Sequence, residues 1–155
     1  MSTPHDRVAE VDRHLTGAAD SAAQRHPRFA GAIRHSFDRL RGGLAQAHAR
    51  SAAVDSAAWA TYVGDLDRGL DELDKEIGRA TEGAVAGTSV DDVLTIHLTG
   101  IELQGWRLQV SLAGLEPRLT AAEIELQRYA SACATGTAKP VGALEEAMTH
   151  LREAG

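Results

Sequence analysis

Glu10 with His14 and Glu146 with His150 form two Glu-x-x-x-His pairs, the residues of this chain that most readily suggest a chemistry. Residues four apart share a helical face, so each pair can offer a carboxylate and an imidazole to one metal ion. Were the first and last helices adjacent, four ligands would converge, as they do in carboxylate–histidine bundles. The hydrophobic phase points the other way. Val141, Leu144, Met148 and Leu151 take the inward positions of the last helix, which turns Glu146 and His150 toward solvent. Two exposed helical pairs are expected, and no metal centre.

His97 is a second candidate, because it flanks an apolar stripe beside Val93 and Ile101, where an imidazole can act as a base or a pH switch. Glu102 lies about 140° round the helix from it, so it has no evident partner. His97 and Gln104 are the candidate ligand-facing residues of an internal cavity, and no cofactor is expected. Cys133 has no basic sequence neighbour nearer than Arg128 and Lys139, which leaves thiolate activation without an argument. Gly87, Thr88 and Ser89 precede a helix start, but Asp91 and Asp92 already occupy its positive end. No Ser, His and Asp stand on a strand-turn-helix elbow. The chain reads as non-enzymatic.

Trp106 falls on a polar helix edge with Glu102 and Gln109 rather than in an apolar stripe. Tryptophan at an open edge commonly anchors an interface, which makes these three the candidate partner-binding residues.

The elements that carry these groups are helical. From Val90 to Leu115 the chain is apolar on two opposite faces: Leu94, Leu98, Ile101, Gly105, Leu108, Leu112 and Leu115 on one, and Ile96, Leu103 and Val110 on the other. A helix with two apolar faces needs two partners. Trp59, Val63, Leu66, Leu70, Leu73, Ile77 and Ala80 form the cleanest single seam. Thr88 or Ser89 can cap the double-faced helix with Asp91 or Asp92 reaching back, and Pro117 is read as its end. Thr120 and Glu123 then read as a capping box, with Leu119 and Ile124 as a hydrophobic staple around a fresh helix start. Gly42 and Gly43 predict a kink or a close contact in the second helix. The fold expected is an all-α, antiparallel up-down bundle of four long helices (about 4–25, 27–52, 56–82 and 89–116). Two shorter C-terminal helices follow (about 121–133 and 140–153). No segment alternates with a period of two, so no strand is expected.

A length of 155 residues at 43% apolar content suits one domain spanning 1–155. The net charge of −6 argues against nucleic acid as a partner. Residues 1–54 carry eight arginines against five acids, a net of +3, whereas residues 55–155 carry eight bases against 17 acids, a net of −9. The arginines of the second helix and the acids of the third are expected to pair, within one chain or across a dimer. No run approaches the roughly 20 apolar residues of a membrane span, and the first residues lack a secretory apolar block. With a single cysteine, a cytoplasmic, membrane-independent protein is expected. The function expected is a protein-interaction module, as an adaptor, regulator, immunity-type or assembly component, with self-association as a homodimer the leading possibility. The alternative is a ligand- or metal-binding bundle in which polar groups around His97 line a cavity.

Overall fold

Apolar residues spaced three and four apart along each segment become helices that bury those seams. A computed structural model describes residues 4–49, 56–81, 89–108 and 115–153. Six α-helices occupy them: α1 (Pro4–Arg25), α2 (Ala30–Ala49), α3 (Ser56–Thr81), α4 (Val90–Arg107), α5 (Leu115–Thr135) and α6 (Val141–Arg152). No strand occurs among the described residues. Pro27 forbids helical geometry at His26, and the chain turns there through a short 3-10 segment, Pro27–Phe29, before α2 begins. Ser89 caps α4 as its sequence predicts. Its hydroxyl accepts from the Asp92 amide, and the Asp92 carboxylate accepts from the Ser89 amide, both at 3.1 Å.

One boundary differs. Pro117 does not end the fourth helix; it stands in the first turn of α5, where its missing N–H would have had no helical partner in any case. The fourth helix stops at Arg107, and α5 runs through Thr120 without a new start. Leu115, Leu119, Ala122, Tyr129 and Cys133 are buried along one α5 seam that passes straight through the proline. Leu119 is buried and Ile124 exposed, so the predicted staple is absent.

The first four helices form a bundle in which α1 packs on α2, α2 on α4 and α4 on α3, while α3 closes back on α1. Helices α2 and α3 are thus diagonal rather than side by side, which corrects the expectation that successive helices adjoin. The same geometry corrects the expected charge pairing within the chain. Arg34 pairs with Asp20 of α1 at 2.5 Å, and Arg41 grips Asp12 of α1 at 2.6 and 3.0 Å. The acids of α3 pair with Arg25 and His14 of α1, and with Arg68, Lys75 and Arg79 one turn away on α3 itself.

Helices α5 and α6 pack on each other, with α5 lying along α4 and α6 touching α2. Leu94, Leu98 and Ile101 of α4 join the core of the four-helix bundle, as does Val93. Leu103 and Trp106 join a second core with α5, α6 and Ala47 of α2, and Ile96 packs against it. The double apolar face of α4 is therefore satisfied inside the chain; Val110 and Leu112 of the predicted stripes lie outside the described residues.

Candidate functional site

Two acids of α4 are buried, Asp92 and Glu102, and each ties the α5–α6 hairpin down. At the start of α4, Tyr129 of α5 donates its hydroxyl to Asp92 Oδ1 at 2.7 Å, and Lys139 from the α5–α6 connection donates to Oδ2. Burial alone would raise the Asp92 carboxyl, but the bonds from Lys139, Tyr129 and Ser89 outweigh it and hold the pKa down to about 2. The same burial, with the Asp92 carboxylate beside it, raises the Tyr129 phenol. Burial also raises the nearby Cys133 thiol, consistent with an inert residue.

This clamp has a pH signature. The folded pKa of about 2 lies below the ordinary 3.8, so Asp92 contributes stability that is complete above about pH 4 and disappears as pH falls toward 2. Urea unfolding of the wild type between pH 6 and 2 should show a loss of about 2 kcal/mol from this group, absent from Asp92→Asn. Parallel curves for the two proteins would contradict the clamp.

Further along α4, Arg152 at the end of α6 forms a two-pronged bond to Glu102, Nε to Oε2 at 3.0 Å and Nη2 to Oε1 at 2.6 Å. Trp106 Nε1 donates to the same Oε2 at 3.0 Å. Gly43 of α2 makes room for this carboxylate. A Cβ there would fall 2.4 Å from Glu102 Cδ, so the predicted close contact, rather than a kink, is what this glycine serves. Gly105 also admits a close neighbour, since a Cβ there would meet Leu44 Cδ2 at 2.5 Å. Burial, reinforced by the Glu102 charge, raises the Tyr62 phenol.

Between the two clamps lies a cleft of about 110 Å³, walled by α2, α4, α5 and α6. Leu40, Leu94, Leu98, Leu144 and Met148 supply its apolar surface. Ser36, Arg39, Thr95, Thr99, Val141 and Glu145 supply its polar and outer parts. The Glu102–Arg152 pair also borders it.

The residues expected to do chemistry are distributed otherwise. His14 bonds Asp67 of α3 at 2.9 Å, on helices whose main neighbours exclude α6. Glu146 and His150 are exposed, Arg118 bonds the His150 carbonyl, and Glu10 is half-buried on α1. No cluster of three or more His, Cys, Asp or Glu suited to a metal occurs among the described residues. His97 is half-buried, and burial lowers its pKa against the opposing pull of Glu76 and Glu72 on α3. Gln104 is exposed. Neither residue borders this cleft, which opens on the opposite, Thr95–Thr99–Glu102 edge of α4. Trp106 and Glu102 lie in the interior, 0% and 1% exposed, because α6 covers the edge on which they stand. Gln109 lies outside the described residues.

Helical phase alone could not have found Asp92 as a clamp, since its capping role already accounted for an acid there. The signal for Glu102 was a charge at a seam-flanking position facing a Gly-Gly pair. Two large apolar side chains are exposed among the described residues, Ile124 at 45% and Val141 at 46%. Both belong to the α5–α6 hairpin. Ile124 lies in an open groove with Arg128, Ser131 and Pro140, next in sequence to Val141. Comparison of the chain with known protein families, curated proteins and solved structures finds no match.

Proposed function

We propose that this protein is a non-enzymatic interaction module whose contact surface is the outer face of the α5–α6 hairpin. The observation that supports it is the placement of Ile124 and Val141. With the surplus face of α4 absorbed internally, these two are the large apolar side chains that remain exposed among the described residues, and both stand on one hairpin. Apolar groups rimmed by polar ones, here Gln127, Arg128 and Ser131, have the composition of a modest protein contact. A second copy of the chain is the leading partner, as an adaptor or assembly component would require. The net charge of −6 disfavours nucleic acid. No helix among the described residues is long and apolar enough to cross a membrane. The setting proposed is cytoplasmic, on the strength of the single cysteine.

The test pairs the wild type with Ile124→Arg/Val141→Arg, which alters exposed positions and should leave folding intact. Light scattering at low and high salt should give a dimer for the wild type and a monomer for the double variant. The reading fails if the wild type is monomeric throughout and affinity capture returns the same proteins with both baits.

A further inference from the structure

The cleft between the two clamps opens at Val141, at the edge of the hairpin face, and its chemistry points to a small molecule. Its apolar part is mainly aliphatic, drawn from α2, α4 and α6, with the Tyr129 ring of α5 as its one aromatic wall. At about 110 Å³ it is smaller than the roughly 150 Å³ cavity that takes a benzene ring, so a branched chain of about four carbons fills it and a planar cofactor does not fit.

The charges at the cleft are the informative feature. Glu102 and Arg152 close on each other and are spent. Arg39 of α2 and Glu145 of α6 are exposed, and among the described residues neither forms an ion pair, with the other or with any third group. A cation and an anion on different walls of one cleft thus stand open. A simple carboxylate would satisfy Arg39 and meet Glu145 as a like charge; a simple amine would do the reverse. A ligand with both charges on one carbon, and an aliphatic chain on that same carbon, complements all three surfaces together. Ser36 and Thr99 add hydroxyls beside the charges, and Thr95, whose hydroxyl donates to the Asp91 carbonyl at 2.9 Å, offers lone pairs. We propose that the cleft binds a free aliphatic α-amino acid, its side chain among Leu94, Leu98, Leu144 and Met148, its carboxylate toward Arg39 and its ammonium toward Glu145.

Exposed ion pairs are weak, so millimolar affinity is expected. Amide-resolved NMR titration of the full chain with leucine should shift residues 95–99 and 144–148 saturably. 4-Methylpentanoate, which lacks the ammonium, and isopentylamine, which lacks the carboxylate, should each bind about threefold to fivefold more weakly, and glycine more weakly still. Arg39→Gln should weaken leucine by a similar factor and leave isopentylamine unchanged, while Glu145→Gln should weaken leucine and leave 4-methylpentanoate unchanged. The proposal is overturned if leucine gives no saturable shifts, if it binds no more tightly than the two singly charged analogues, or if both variants bind it like the wild type.

Discussion

Arg152→Ala is expected to cost about 3–5 kcal/mol of folding stability, although the residue is the last of its helix. The reason lies in the partner left behind. Glu102 has a side chain only 2% exposed, and of the donors that reach it, Arg152 supplies the charge and two bonds while Trp106 supplies one neutral bond. Removing the guanidinium leaves a carboxylate that is only 2% exposed without its charged partner, where the unmet desolvation cost is large. Arg152→Lys should recover only a fraction of the loss, because an ammonium cannot reproduce the two parallel bonds of the guanidinium fork. Replacing both partners with apolar residues, Glu102→Leu with Arg152→Met, should recover most of it. Chemical unfolding of the wild type, Glu102→Leu, Arg152→Met and the double variant closes the cycle. A cost below about 1 kcal/mol for Arg152→Ala would place this pair among ordinary surface salt bridges and refute the clamp.

Trp106→Ala should be comparably severe, at about 3–5 kcal/mol, because the indole is 0% exposed and fills the junction of α4 with α5, α6 and Ala47. Trp106→Phe separates the two contributions of the side chain. It keeps most of the packing and removes the bond to Glu102, so a loss of about 1–2 kcal/mol is expected. The same thermal or urea unfolding reads both variants. A Trp106→Ala protein as stable as the wild type would mean that the hairpin does not cover this residue, and would restore Trp106 as an open edge.

The seams of α3 and α6 were legible because each has one apolar face, and the ends of α1, α3 and α6 fall within a residue or two of expectation. The double face of α4 was legible too, and the structure assigns its halves to two cores. Three features were not. Pro117 outweighed the Leu115–Leu119–Ala122 spacing because a proline stops a helix but can equally begin one. The diagonal placement of α2 and α3 was hidden because chain adjacency says nothing about which seams face each other. The polar edge of α4 was read as solvent-facing, since a helical wheel shows where a side chain points and not what covers it. Glu102 and Trp106 belong inside because Gly43 admits α2 closely on one side and Arg152 arrives from the far end of the sequence on the other. Voids are subtler still, and the cleft follows from how four helices fail to meet.

Helix α4 is a wall shared by two rooms. Its backbone cannot shift to suit one core without disturbing the other, because its side chains alternate between them and its two acids are bound to the hairpin. The bundle and the hairpin are therefore expected to melt as one cooperative unit, since departure of α5 and α6 would expose Ile96, Leu103 and Trp106 to water and break the bonds that hold Asp92 and Glu102.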